Sequence, residues 1–210
     1  MIKDLFSIED ENLKKFFDKF IYPEEILPHL HDFILELGPC LGSDYHEIKK
    51  DVWVHEKASL SDNVEIIGPC VIMEGAKICH NAYLRENVIV GKNSIVGNSS
   101  EIKNAILISN VMIPHFNYVG DSILGDKAHL GAGVILANLR LDKENVRVDG
   151  RKTSLRKIGS FIGDNAQIGS NSVLNPGTII YPNIMVYPLM NISGVIKENT
   201  KKNNVEVRRI

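Results

Sequence analysis

Aliphatic residues recur at every sixth position through the middle of the chain. Ten consecutive positions with this spacing are aliphatic: Val54, Leu60, Ile66, Ile72, Ile78, Leu84, Val90, Val96, Ile102 and Ile108. Shorter runs with the same spacing begin at Leu124 and at Ile162. Helices repeat every 3.6 residues and half-buried strands every two, so neither produces a strict period of six. The pattern predicts a solenoid in which each hexapeptide supplies one short strand and one corner, and a β-sandwich with coincidental spacing is the weaker alternative.

The first fifty residues follow a different pattern, with apolar positions at helical spacing. Leu13, Phe16 and Phe17 share one face of a predicted helix. The segment Ser7–Asp10 fits a capping box for that helix, and Pro23 marks the start of a second one. Because the end of a solenoid exposes its core, we expect these helices to cover the first coil or to contact a neighbouring subunit.

Two segments break the six-residue phase. The spacing between Ile108 and Leu124 is not a multiple of six, so we expect residues to loop out around His115. Residues 139–157 fit no repeat and hold seven basic residues against three acidic ones. The basic residues are Arg140, Lys143, Arg147, Arg151, Lys152, Arg156 and Lys157. Insertions in a rigid scaffold commonly carry function, and this charge excess indicates an anionic ligand such as a phosphate, with a solvated loop as the simpler alternative.

These patterns divide the chain into three parts. The predicted parts are a helical region over 1–50, a solenoid over 51–191 with an inserted loop at 139–157, and a C-terminal tail over 192–210. The tail is basic as well, with Lys197, Lys201, Lys202, Arg208 and Arg209, and it could cover a site on an adjacent subunit.

Composition narrows the class of protein. The net charge of the 210 residues is −2, which gives no overall attraction to nucleic acid or to anionic membranes. No apolar run is long enough to span a bilayer, and the first twenty residues are too charged for a secretory signal. Cys40, Cys70 and Cys79 lack metal-ligand spacing, and an odd number without a signal peptide predicts free thiols in the cytoplasm.

The segment from His115 to Asp121 reads H-x-x-Y-x-G-D, and the segment Leu130–Gly133 and Asn138 follow it. This stretch resembles the acetyltransferase half of the bifunctional N-acetylglucosamine-1-phosphate uridylyltransferase/glucosamine-1-phosphate acetyltransferase family. The resemblance implies a left-handed parallel β-helix with three hexapeptides per turn, and a homotrimer with sites between adjacent solenoids. It implies acetyl-CoA as the acyl donor, no metal, and His115 as the general base for the sugar amine, a role that suits a neutral imidazole.

Other residues match the family pattern around this histidine. Glu101 and Lys103 resemble its E-x-K motif, in which the glutamate supports the histidine and the lysine contacts the sugar phosphate. Arg85 falls where the family has a second phosphate-binding arginine, and Tyr118 lies near the substrate by the same match. The resemblance adds Asn138 to the predicted catalytic set of the histidine and Glu101.

The predicted donor side of the site lies downstream. Ala132 and Ser170 lie in segments that resemble the coils lining the acetyl-CoA groove. Lys143 and Arg156 lie in the basic insertion, which we expect to border the cofactor. His129 stands where the family usually has asparagine, and we expect it to affect how the sugar is held.

Three functions remain open at this point. The first is an acetyl-CoA-dependent N-acyltransferase acting on an amino-sugar phosphate or a related anionic amine. The second is a non-catalytic trimer that binds or senses sugar phosphates or nucleotide sugars. Two departures favour it, His129 and also Glu144, which stands where a related subgroup of these enzymes has a lysine. The third is a hexapeptide-type zinc carbonic anhydrase, which needs two histidines five residues apart, but Gly120 stands five residues after His115. The residues before the solenoid contain no glycine-rich nucleotide-binding turn, so nucleotidyl transfer is not expected.

Overall fold

Three parallel sheets run along a β-solenoid in the computed structural model, which describes residues 1–199. The chain passes from sheet A to sheet B to sheet C in each turn, and each strand pairs in parallel with the equivalent strand of the next turn. The predicted hexapeptide solenoid is confirmed, because successive hexapeptides supply successive strands.

The strands are numbered β1–β25 in chain order. Sheet A contains β2 (Val52–His55), β5 (Cys70–Ile72), β8 (Val88–Lys92), β11 (Ala105–Ser109), β14 (Ile123–Leu124), β19 (Ser160–Ile162), β22 (Thr178–Ile180) and β25 (Val195–Ile196), with β1 (Tyr45–Lys49) antiparallel at its edge. Sheet B contains β3 (Ser59–Leu60), β6 (Lys77–Ile78), β9 (Ile95–Asn98), β12 (Met112–His115), β15 (His129–Leu130), β20 (Gln167–Ile168) and β23 (Met185–Val186). Sheet C contains β4 (Glu65–Ile66), β7 (Tyr83–Leu84), β10 (Glu101–Lys103), β13 (Tyr118–Gly120), β16 (Ile135–Leu136), β21 (Val173–Leu174) and β24 (Asn191–Ile192).

Aliphatic columns from the three sheets fill the interior. Ile72, Ile78 and Leu84 belong to one buried cluster that runs along the axis, and each is nearly or fully inaccessible to solvent. Burial of one such side chain stabilises the fold by roughly 1.5–3 kcal/mol. Asparagines stand at many corners in the left-handed conformation, as at Asn81 (φ 58°) and Asn93 (φ 55°), which asparagine tolerates better than most residues.

The turns shorten in the middle of the solenoid, and this corrects one prediction. Val90 pairs with Leu107 and Leu107 pairs with Leu124, so these turns contain 17 residues (107 − 90 and 124 − 107). Leu107 therefore points into the interior, whereas Ile108 packs outside it. One residue is missing from the corner between sheets C and A in each turn, which accounts for the change of phase. The predicted loop-out around His115 is wrong, because His115 ends β12 and pairs with β9 in regular register.

The N-terminal helices lie along the outer face of sheet A. They are α1 (Ile2–Leu5), α2 (Glu11–Phe17) and α3 (Leu30–Leu37), with 3-10 turns at Pro23–Glu25, Leu27–His29 and Gly38–Cys40. Their buried side chains share one apolar cluster with outward-facing residues of sheet A from Trp53 to Ile179. The helices therefore cover the side of the solenoid along sheet A, and not only its first coil as we expected. The outward positions of sheet A are themselves apolar and require burial.

The helix cap also differs from the prediction. The carboxylate of Asp10, not the Ser7 side chain, caps α2 by accepting hydrogen bonds from the backbone N–H groups of Asn12 and Leu13, both at 3.0 Å. The Ser7 N–H instead donates to Asp164 Oδ2 at 2.7 Å and ties the N-terminal segment to the solenoid.

The insertion leaves the solenoid at the corner between sheets C and A. Leu139 and Lys157 form an isolated antiparallel bridge at its base. Between them lies a two-stranded hairpin of β17 (Arg147–Val148) and β18 (Arg151–Lys152). Val148 is buried in the apolar cluster that contains the helices, so the insertion packs against the N-terminal region.

The solenoid continues past residue 191, where its end was predicted. Ile192 is buried in the central cluster and Ile196 packs against it, so apolar residues extend the core by one further strand in sheet A. Of the basic residues that we expected to cover a neighbouring site, Lys197 lies over the Tyr181 ring of its own chain, with Nζ 4.7 Å from the ring centroid. The others, Lys201, Lys202, Arg208 and Arg209, lie outside the described residues.

Candidate functional site

His115 lies at the corner between sheets B and C, in a column with two other predicted site residues. The Gly133 N–H donates to the His115 carbonyl at 3.0 Å, and the Asn171 N–H donates to the Ala132 carbonyl at 2.8 Å. These bonds place His115, Ala132 and Ser170 at equivalent corner positions of three successive turns. Neighbouring strands are about 4.7–4.9 Å apart, so the column spans about 10 Å along the axis.

The imidazole of His115 is exposed at this corner. Its backbone is fixed, since the His115 N–H donates to Asn117 Oδ1 at 3.1 Å and the next residue, Phe116, turns the chain with φ 53°. Within residues 1–199 the ring itself has no hydrogen-bond partner. The corner therefore positions the histidine without fixing which ring nitrogen carries the proton.

An open groove of about 340 Å³ lies on the outer face of sheet B, beside the Ser170 end of this column. His129 and Ser170 both line it, so the structure brings these two predicted residues together. Gly131 permits this approach, because a Cβ there would stand 2.6 Å from the Ser170 backbone nitrogen. Gln167 lies next to His129 in strand register and also lines the groove.

A cluster of cations and carboxylates covers the outer face of sheet C. Arg85 Nη1 is 3.2 Å from Glu101 Oε1, and Arg85 Nε is 3.8 Å from Glu86 Oε2. Lys103 Nζ is 3.9 Å from Glu86 Oε1, and the Lys103 side chain is only 16% exposed. The hydrogen bond that Arg85 donates to the Glu101 carboxylate raises the pKa of Arg85. Both predicted phosphate-binding cations are thus brought together, but each is already paired with a carboxylate.

Glu101 does not contact His115 as we expected. Glu101 faces outward from β10, where its carboxylate bonds Arg85 of the preceding turn, whereas His115 stands on the far side of the corner in sheet B. The expected orienting bond is therefore replaced by an ion pair in this structure.

Tyr118 and Asn138 belong to a polar network that adjoins this cluster, at the edge of sheet C that leads to sheet A. The Asn138 amide donates to the Tyr118 hydroxyl at 3.1 Å and also to Asp121 Oδ2. The second oxygen of Asp121 accepts from Asn104 Nδ2 at 2.8 Å, and Asp121 is only 4% exposed. Burial, and to a lesser degree the charge of Asp121, raises the pKa of Tyr118, so its hydroxyl stays protonated at neutral pH.

The predicted catalytic set is therefore divided within one chain. His115 lies at the B–C corner and Asn138 at the C–A corner, with a strand of sheet C between them. Similarly, Lys143 and Arg156 lie in the insertion at the C–A corner, where Arg156 Nε donates to the Lys143 carbonyl, and not beside Ser170. The prediction that the insertion and Ser170 border one cofactor site is not met within a single chain. The insertion leaves the solenoid at the C–A corner, whereas Ser170 lies at the B–C corner.

Sequence reasoning missed Asn104, Asp121 and Glu86 as members of the site. Asn104, Asp121 and Asn138 are 17 residues apart (121 − 104 and 138 − 121), which equals the length of the shortened turns. That spacing could have indicated that the three residues are neighbours, but only once the turn length of 17 residues is known. Glu86 carries no such signal, since its role depends on two cations from different turns.

Between residues 1 and 199, no three His, Cys, Asp or Glu side chains lie close enough together to hold a metal ion. In the same range, no helix has the length and apolar character needed to cross a membrane.

The chain is similar to known bifunctional enzymes over its solenoid. The protein-family model of the GMPPB C-terminal domain matches residues 66–158. Bifunctional protein GlmU of Methanococcus vannielii is 35% identical over 139 residues, which cover 56% of this chain and 34% of that protein. A bifunctional sugar-1-phosphate nucleotidylyltransferase/acetyltransferase of Sulfurisphaera tokodaii is 36% identical over 138 residues, or 55% of this chain and 34% of that protein. The predicted resemblance is confirmed, and this chain spans about a third of the length of these relatives.

Solved structures show a more distant likeness. The acetyltransferase domain of PglB from Neisseria gonorrhoeae, in complex with acetyl coenzyme A, is 15% identical with a TM-score of 0.36, covering 77% of this chain and 56% of that one. A hexapeptide transferase family protein from Anaplasma phagocytophilum is 19% identical with a TM-score of 0.40, covering 74% of this chain and 82% of that one. Values this low assign neither a substrate nor a cofactor.

Proposed function

We propose that this chain transfers an acyl group from acetyl-CoA to the amine of an amino-sugar phosphate. Its solenoid is similar in sequence to part of bifunctional nucleotidylyltransferase/acetyltransferases. The observation that carries the proposal is the corner column of His115, Ala132 and Ser170 beside an open groove. The column runs along the axis, the direction in which an extended thioester donor would lie with its acyl end near His115.

His115 serves as the general base in this proposal. A neutral imidazole removes a proton from the acceptor's ammonium group, and the free amine attacks the thioester carbonyl. The C–N bond forms, the C–S bond breaks, and the thiolate of CoA leaves and is protonated. A thioester is already activated, so a single base suffices, while backbone N–H groups would stabilise the oxyanion.

Arg85 and Lys103 would bind the acceptor's phosphate. Both now pair with carboxylates of Glu86 or Glu101, and a phosphate would replace these as the counter-charge. Release from Arg85 would free Glu101, which stands one turn before Tyr118 in the same sheet. Binding of the acceptor phosphate at Arg85 and Lys103 would thereby change the contacts available to Glu101 and Tyr118.

We also propose that the working unit is a homotrimer in the cytoplasm. The outer face of sheet A is covered by the helices, which leaves sheets B and C as candidate interfaces. Large apolar side chains are exposed next to one another on the last turn of sheet B and at its edge, with Met185 at 53%, Tyr187 at 46% and Leu189 at 77%. Contiguous exposed apolar residues are typical of association surfaces. A neighbouring subunit would also bring an insertion or an Asn138 to the His115 corner, which one chain does not do.

The alternative is a non-catalytic trimer that retains sugar-phosphate binding. The pairing of Glu101 with Arg85 favours it, since no described group orients the His115 ring. In that case the groove and the cation cluster would bind ligands without turnover.

The test is an acyl-transfer assay with purified protein, acetyl-CoA and glucosamine 1-phosphate, in which thiol release and the mass of the acylated product are both followed. Glucosamine without phosphate serves as the control acceptor. The proposal predicts turnover that requires the phosphate. Sugar-phosphate binding by calorimetry, without release of the CoA thiol in the presence of any amine of a panel, would favour the alternative. Absence of both would contradict both functions.

A further inference from the structure

The basic residues of the insertion differ in whether they have an acidic partner. Arg140 forms a two-fold hydrogen-bonded pair with Asp142, one bond being Nε to Oδ1 at 2.8 Å. Arg151 contacts Asp149 at 3.1 Å and the buried Glu24 at 2.9 Å. Two of the three acidic residues of the insertion are therefore already engaged.

Of the insertion's cations that have no acidic partner among the described residues, Arg147 and Lys152 are the two that stand together. They stand directly opposite each other in the β17–β18 hairpin, both are exposed, and neither forms an ion pair within residues 1–199. Two like charges directly opposite in an antiparallel pair destabilise it. An anion bound between the two side chains would offset this repulsion.

A cavity lies where that anion would be. It has a volume of about 330 Å³ and is lined by Arg147 and Lys152 together with Arg140, Glu144, Asn145 and Thr153. Glu144 is the one carboxylate among these lining residues, and its side chain accepts no hydrogen bond from a described residue. The two unpaired cations thus outnumber the one unpaired carboxylate.

We propose that this cavity binds the phosphoryl group of a phosphorylated small molecule. Arg147 supplies a planar fork of donors suited to two phosphate oxygens, and Lys152 supplies a compact charge. Neither Arg85 nor Lys103 lines this cavity, so the site is distinct from the cation cluster on sheet C. The proposal does not depend on acyl transfer, because it concerns binding alone.

Calorimetry on the full chain at low ionic strength tests this site. The probes are inorganic phosphate, glucosamine 1-phosphate, uridine diphosphate, CoA and dephospho-CoA. Arg147→Gln and Lys152→Gln should each raise the Kd of the bound probe by at least about tenfold, which is the loss of affinity expected for a charge-assisted hydrogen bond. Glu144→Gln should strengthen binding, because it removes the one opposing charge. Lys157→Gln, a cation of the same insertion outside the cavity, is the matched control and should change the Kd by less than about twofold.

The probes identify the source of the phosphate. Weakening for CoA but not for dephospho-CoA assigns the site to the donor's phosphate, and weakening for the sugar phosphate or the nucleotide assigns it to a separate ligand. Thermal unfolding without ligand checks the fold, and both cation variants should unfold at or above the wild-type temperature. The proposal is overturned if no probe binds, or if the Arg147 and Lys152 variants behave like Lys157→Gln.

Discussion

The Asn138 amide donates a hydrogen bond to the Tyr118 hydroxyl at 3.1 Å, across two neighbouring turns of the solenoid. Tyr118 in turn pairs in register with Glu101, which is bonded to Arg85. The outer face of sheet C therefore connects a polar network at one corner to a cation–carboxylate cluster. Changes at either end are expected to affect the other.

The first prediction concerns Gly120, which lies under the Tyr118–Asn138 bond. A Cβ at this position would come within 2.6 Å of both the Tyr118 hydroxyl and the Asn138 amide nitrogen. Gly120→Ala should displace one of them and lower the free energy of unfolding by roughly 1–3 kcal/mol. Denaturant titration measures this loss. Gly42→Ala is the control, since a Cβ there has nothing within 4 Å, and an equal effect of both substitutions would contradict the account.

The second prediction concerns Asp121, whose buried carboxylate accepts bonds from Asn104 and Asn138. Asp121→Asn turns one acceptor oxygen into a donor that faces another amide donor. We expect a loss of roughly 1–3 kcal/mol of unfolding free energy, together with weaker binding of the acceptor. Urea titration and acceptor calorimetry would measure the two effects. The exposed Asp62→Asn is the control, and the network has no such role if the two variants are equally stable.

The architecture was accessible from sequence because each buried position is specified locally. The run from Val54 to Ile102 reads directly as the apolar interior, since every turn repeats the same requirement. The prediction fails at Ile108, because the preceding corner is one residue shorter and Leu107 points inward instead. Since both residues are aliphatic, the sequence does not show which of the two is inside.

The candidate site was only partly accessible. Family likeness selected Arg85, Glu101 and Lys103, and they do cluster, because residues one turn apart in register must be neighbours. It did not indicate that Glu101 would pair with Arg85, since competition among nearby charges depends on distances that spacing alone does not give. Nor did it place the insertion away from Ser170, because the corner from which a loop leaves becomes known only when all three sheets are assigned.

The third prediction concerns the ion pair between the helices and the insertion. Glu24 is 7% exposed and its partner Arg151 is 25% exposed. Arg151→Met leaves a buried carboxylate without its partner and should cost about 3–5 kcal/mol in urea unfolding. The double variant with Glu24→Leu should recover much of this loss. Lys49→Met breaks an exposed pair with Glu65 and should cost less than about 1 kcal/mol; equal losses from Lys49→Met and Arg151→Met would refute the buried role.

The fourth prediction concerns alkaline pH. Burial raises the pKa of Tyr45 from 10.0 to about 12. A raised pKa means that the folded state holds the proton more tightly, so this contribution to stability is complete below pH 10 and is lost as the pH rises towards 12. Tyr45→Phe should therefore lose less stability than the wild type between pH 9 and pH 11.5. The free energy of unfolding of both proteins would be measured at the two pH values. If the wild type and Tyr45→Phe lose the same amount between them, the pKa of Tyr45 is not raised by folding.

The most direct test of the central proposal compares two histidines at the same corner of the solenoid. His115 and His80 lie two turns apart between sheets B and C, with Asn98 between them in register. In the acyl-transfer assay, loss of a general base should reduce kcat/KM for His115→Ala by about 10²–10⁴-fold, whereas His80→Ala should stay within about twofold of the wild type. A His115→Ala protein that retains wild-type kcat/KM, or equal losses in both variants, would contradict the proposed role of His115 as the base.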